Sequence, residues 1–279
     1  MDILNSPFGN SGWYPNDKDQ LNETILTLLN NTPRNTSKHV NAIICPHAGY
    51  TYCGHICASA FKPTKSQSYD HIIIIGPSHY FNLDHHYAIP NSTQFSTELG
   101  SVNTSTSFLN TLDSTYRIQN DEVFQNEHSI WMILPFVQTL HPKAKISPII
   151  VGKLNKQSTK TLSNHIKNHQ NEKTLIVISS DFTHYGTSFN YTPFTDDIPN
   201  NITKVDKAAY EFIKNKDANG FWEWFHQKTT TICGRYAITV LLQCLDSESV
   251  ISNNYSQSGE ISNDWSHSVS YQSVVFGKD

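Results

Sequence analysis

Four short runs of this chain are almost unbroken in branched apolar residues: HVNAIICP (39–46), HIIIIGP (71–77), KISPIIVGK (145–153) and TLIVISSDF (174–182). A strand with one wet face alternates apolar and polar residues, so a continuous run needs both faces covered. A parallel or mixed sheet with helices on either side meets that condition. The intervening segments 50–61, 104–112, 129–140, 159–169, 203–214, 220–228 and 234–245 read as helices. Strands alternating with helices predict one α/β domain over 1–279, with a central, mostly parallel or mixed sheet and helices on both faces. No internal repeat and no Pro/Gly/Ser linker divides it. Near-alternation in VISNNYSQSG and SVSYQSVVFG predicts one or two further strands, antiparallel, at the C-terminal end. Residues 95–102 read as a connection, and 185–201 as a long loop of the functional or mobile kind.

The formal net charge of −4 argues against a general nucleic-acid binder, which normally shows a basic face. No run of Lys or Arg exceeds two, which argues against a polybasic membrane patch. The apolar runs fall far short of the roughly 20 residues that a membrane span needs. The first twenty residues show neither a basic n-region nor an apolar h-region, so no secretory signal is visible. Without one, the Asn-x-Ser/Thr sequons at Asn22, Asn35, Asn91, Asn103, Asn190 and Asn201 follow from composition. Cysteines at 45, 53, 57, 233 and 244 are odd in number and poorly spaced for a disulfide framework. A reduced, cytoplasmic protein is the expectation.

Three of the apolar runs end in chemistry. IICP is followed by His47, IIIIGPS by His79, and IVISSDFT by Asp181 and His184. Parallel strands deliver their C-terminal ends to one crevice, where ligand sites of open α/β sheets form. A lone histidine after a strand is usually a loop residue; three in matching positions point to a metal site. Two imidazoles and one anion make a facial set for iron, copper or zinc. The anion has three candidates: Asp181, Glu127 in NEHSIWMILPF, and Cys233 in TTTICGRYAITVLL. Cys233 lies at a helix N-terminus beside Arg235, a setting that favours thiolate. Cys45, Cys53 and Cys57 fall on apolar faces and read as core.

The motifs PHAGYTYCG (46–54), GPSH (76–79), EHSI (127–130), SSDFTHYG (179–186) and TICGR (231–235), with Gly12-Trp13-Tyr14 ahead of them, together resemble the Memo family, mediators of cell motility downstream of receptor tyrosine kinases. The likeness runs in order through nearly the whole chain. It implies a fold similar to class III extradiol dioxygenases and a mononuclear site of His47, His79 and Cys233. Iron is the expected metal and copper the alternative, since thiolate softens the set. The chemistry implied is redox or dioxygen chemistry, with His184 as general acid/base and Asp181 orienting it or a water. Glu127, His128 and Arg235 would line the same pocket. A rival reading is a signalling module that holds a phosphotyrosine-type peptide there, with Trp13 and Tyr50 as walls. Hydrolysis through Ser78 or Ser180 is disfavoured, because neither sits in a G-x-S-x-G elbow. The chain departs from the family pattern at Trp131 and Ile133, where Glu and then His or Gln are usual, and at Glu98, where proline is common.

Overall fold

The four apolar runs become neighbouring parallel strands at the centre of a mixed sheet. The computed structural model describes residues 2–33 and 38–278, so Asn35 of the sequons lies outside the described residues. Its strands are β1 (Ile3–Asn5), β2 (His39–Cys45), β3 (His71–Pro77), β4 (Tyr87–Ile89), β5 (Gln94–Thr97), β6 (Gly100–Asn103), β7 (Arg117–Gln119), β8 (Lys145–Val151), β9 (Thr174–Ser179), β10 (His184–Gly186), β11 (Ser249–Gln257) and β12 (His267–Lys278). The main sheet runs β10-β12-β2-β9-β3-β8-β4-β7, with β11 also paired to β12. Strands β2, β9, β3 and β8 are mutually parallel, and β12 joins β2 antiparallel. Strands β1, β5 and β6 form a separate small sheet.

Alternation along the central strands feeds two cores. Ile43, Ile72, Ile74, Leu175 and Val177 belong to one, while Ala42, Ile44, Ile73, Ile75, Ile176 and Ile178 belong to the other. Helices Lys18–Asn31, Tyr50–Phe61, His128–Trp131 and Leu134–Leu140 cover the first face, with Leu21, Cys53, Trp131 and Phe136 buried there. Lys156–His169, Ile198–Lys214, Ala218–Gln227 and Arg235–Cys244 cover the second. Each fully buried Ile or Leu side chain contributes roughly 1.5–3 kcal/mol, which explains why the central runs need no polar residue. The result is a single α/β domain with helices on both faces. Among the described residues, no helix is long and apolar enough to cross a membrane.

Several boundaries differ from the sequence expectation for physical reasons. The helix expected over 129–140 breaks into His128–Trp131 and Leu134–Leu140, because Pro135 lacks an N–H and occupies the first turn of the second piece. The 104–112 segment keeps only the short helix Thr106–Leu109. Helix Lys18–Asn31 was not expected: it buries only Leu21, Ile25 and Leu29, a thin stripe, and is started by Asp17 accepting from the Asp19 and Gln20 N–H groups. Residues 95–102 form the hairpin β5–β6 and not a bare connection. Within 185–201, β10 pairs with β12, and Tyr185 and Tyr191 pack with Ile202. The departures Trp131 and Ile133 are both fully buried, and the Trp131 indole donates to the Phe124 carbonyl at 2.6 Å. They are core residues. Trp131→Ala removes this packing and is expected to cost ~3–5 kcal/mol, read as a lower urea midpoint at unchanged slope.

Candidate metal centre

The central strands stop level with one another: Cys45 of β2 pairs with Ser179 of β9, and Ile75 of β3 pairs with Ile178 of β9. His47, His79 and Asp181 each lie two residues past a strand end, so all three emerge at one edge. Cys233 arrives from elsewhere, in the segment before helix Arg235–Cys244. Gly234 allows this approach, since a Cβ there would lie 2.4 Å from the Ser180 Cβ. The Gly234 N–H donates to Ser180 Oγ at 3.0 Å, and the Asp181 N–H donates to Cys233 Sγ at 3.2 Å. A second close approach is at Gly76, where a Cβ would meet Ser129 Oγ at 2.5 Å. That contact seats the start of helix His128–Trp131 on β3 and brings Glu127 to His79.

One ligand atom from each of His47, His79 and Cys233 falls within a 4.8 Å limit of the others, and His47 Nε2 lies 3.3 Å from Cys233 Sγ. The opposite nitrogen of each imidazole is engaged. His47 Nδ1 is 2.7 Å from Ser179 Oγ, and His79 Nδ1 is 2.7 Å from Glu127 Oε1. Glu127 also accepts from the His79 N–H at 2.6 Å and from the Ser129 N–H at 3.1 Å. His128 stacks on His79 at 4.2 Å and touches Trp13 at 5.0 Å, and its Nδ1 is buried without a hydrogen-bond partner. His79, Glu127 and His128 form a second, overlapping set within the same limit.

Burial and partners set the charge states. Burial, reinforced by the neighbouring imidazoles, holds His47 well below its ordinary value. His79 is pulled down by burial but more strongly raised by its hydrogen bonds to Cys233 and Glu127, reaching about 10. Burial pushes His128 and His184 down to about 4, so both are neutral at pH 7. His184 Nδ1 faces the carbonyls of Phe182 and Thr231 at 2.9 and 3.0 Å and donates to them, leaving Nε2 as an acceptor. Burial raises Asp181 to about 7 despite hydrogen bonds from the backbone of His47 and Ala48. Its Oδ1 accepts from the His47 N–H at 2.8 Å. Asp181 therefore fixes the His47 backbone; among the described residues no hydrogen bond joins it to His184, whose ring is held by the two carbonyls instead.

Above these groups opens a cleft of about 610 Å³ lined by His79, His128, His184, Cys233 and Arg235. Tyr50 does not line it: the ring is buried and its hydroxyl donates to the Met132 carbonyl. Trp13 reaches it only through His128. Ser78 Oγ donates to the Phe81 carbonyl, and Ser180 Oγ donates to the Asp181 carbonyl, so neither stands as a nucleophile beside a base. Ser179 and Thr231 were not anticipated as supports. Ser179 could have been suspected from the SSD sequence; the role of the Thr231 carbonyl carries no residue signature.

The sequence matches a family model described as Memo-like protein over residues 9–275. The chain belongs to the Memo family. It is 31% identical to the protein memo-1 homolog of Caenorhabditis elegans, over 94% of this chain and 79% of that one. Human Protein MEMO1 is 32% identical over 93% of this chain and 92% of its own length. A crystal structure of an uncharacterized Escherichia coli K12 protein overlaps 84% of this chain and 99% of its own, with a TM-score of 0.49 at 11% identity.

One buried carboxylate behind the centre gives a pH test. Asp206 Oδ1 accepts from the Thr183 N–H and hydroxyl, and Oδ2 accepts from the Tyr255 hydroxyl at 2.7 Å. Burial outweighs these bonds and raises its pKa from 3.8 to about 6. Because the folded value exceeds the unfolded one, the contribution is whole below pH 3.8 and lost as pH rises through about 6, a change of about 3 kcal/mol. Urea titrations from pH 3 to 7 are expected to show wild type losing that much relative to Asp206→Asn. Parallel pH profiles would contradict the assignment.

Proposed function

We propose that this Memo-family chain is a cytoplasmic metalloprotein whose His47, His79 and Cys233 hold one iron or copper ion, and that redox chemistry at that ion is its activity. The observation that carries this reading is the convergence of the three ligand atoms, each imidazole presenting one nitrogen while Ser179 or Glu127 engages the other. Metal-binding histidines are held in this way, which fixes the tautomer and strengthens the donor. Two imidazoles and a thiolate suit iron(II) or copper better than magnesium or calcium. A cytoplasmic setting is supported by five cysteines that are all free.

A bound ion of this kind supplies one-electron redox chemistry and an open Lewis-acidic position. The chain's own residues would do the rest. His184, neutral and with its proton on Nδ1, would accept a proton from a substrate at Nε2. Asp181 would keep His47 and Cys233 in register through the two backbone contacts described above. Glu127 would hold His79 and balance positive charge. The family resemblance adds a role in cell-motility signalling, exercised through a protein or peptide partner. The rival reading as a peptide module predicts peptide binding that survives metal removal and His79→Ala.

Prepared anaerobically under reducing conditions, the full chain is expected to retain about one iron or copper ion, measured by elemental analysis. His47→Ala and Cys233→Ser are expected to lose it. Glu127→Gln, which keeps shape but removes the negative charge beside His79, should weaken retention about 10- to 100-fold. Metal-free wild type, or full retention in both ligand variants, would overturn the proposal.

A further inference from the structure

The cleft over the candidate centre has a charge pattern opposite to that of the whole chain. Asp and Glu number 24 against 20 Lys and Arg, yet no carboxylate side chain lines the cleft among the described residues. Its permanently charged lining groups are Lys153 and Arg235. Neither takes part in an ion pair among the described residues. Arg235 Nη1 donates to the Ile232 carbonyl at 2.9 Å, and the guanidinium lies 5.2 Å from the centre of the Tyr236 ring. Those two contacts set the plane of the fork and leave its other donors for a ligand. Phe81, Leu83, Phe189 and Tyr236 supply apolar lining to the same cleft.

We propose that this cleft binds a small organic carboxylate, with its anionic end on Arg235 and Lys153 and its apolar body against Phe81, Phe189 and Tyr236. The inference rests on the reading of the same cleft as the approach to the metal centre, placing the bound molecule over His79 and Cys233. The volume of about 610 Å³ falls in the range of small-molecule sites. A planar guanidinium gives a carboxylate two parallel donors, and one such fork is present. Phosphate recognition commonly draws on a cluster of arginines, and this cleft is lined by a single arginine, Arg235.

The test is calorimetric titration of the full-length, metal-stripped chain with benzoate, benzylamine, benzyl alcohol and phenyl phosphate. Benzoate is expected to bind at least tenfold more tightly than benzylamine. Arg235→Gln and Lys153→Gln should each weaken benzoate several-fold while leaving benzyl alcohol unchanged. Lys153 is exposed, so its variant keeps the test valid if Arg235→Gln fails to fold. No benzoate binding, equal binding of benzylamine, unchanged affinity in both variants, or phenyl phosphate more than tenfold tighter than benzoate would each overturn the inference. Metal retention measured on the same wild-type preparation before stripping separates the two readings. Charge selection without metal retention sinks only the metal centre, and retention without charge selection sinks only the carboxylate site.

Discussion

The parallel pairing of β9 between β2 and β3 is the constraint on which the rest of the molecule depends. Because Cys45 is level with Ser179 and Ile75 with Ile178, the three strands release their chains at one edge. His47, His79 and Asp181 then meet without any long-range search by side chains. A slip of one residue in this register would exchange the two cores and turn the terminal side chains away from one another. The buried Ile and Val alternation that fixes the register therefore also fixes the site. Stability and the candidate site rest on the same residues.

What the strands cannot provide comes through two glycines. Gly234 lets the segment carrying Cys233 lie against Ser180, and Gly76 lets the segment carrying Glu127 lie against β3. Together they place a sulfur and a carboxylate at a sheet edge that otherwise holds imidazoles and Asp181. The carboxylate engages His79, while the sulfur lies beside His47. The sulfur thereby joins the set of His47 and His79, on which the proposed metal site is built. Glu127, a candidate ligand on sequence grounds, accepts from the His79 ring, the His79 N–H and the Ser129 N–H, and also belongs to the second set with His79 and His128.

The sheet was legible because its strands are buried on both faces and so leave continuous apolar runs; β3 begins and ends where the residues say it should. The same reasoning found His47, His79 and Asp181, whose position after a strand is visible locally. Cys233 was one of three open candidates until the family resemblance selected it, because its partner His47 is 186 positions away and nothing in TICGR alone records that distance. Tyr50 shows the opposite failure: an aromatic beside a site motif reads as a wall, but the hydrogen bond to Met132 that draws it into the core belongs to tertiary structure. The supports Ser179 and Thr231 escaped for a related reason, since a hydroxyl or a backbone carbonyl gains its role only from what the fold sets beside it. Helix Lys18–Asn31 was hidden by having only three buried residues.

The decisive measurement is X-ray absorption at the iron or copper edge of the loaded, full-length chain. A sulfur scatterer among the nearest neighbours, together with imidazole scattering, is expected in wild type, and Cys233→Ser should abolish the sulfur component. A metal environment of nitrogen and oxygen alone, unchanged by Cys233→Ser, would contradict the site built from His47, His79 and Cys233.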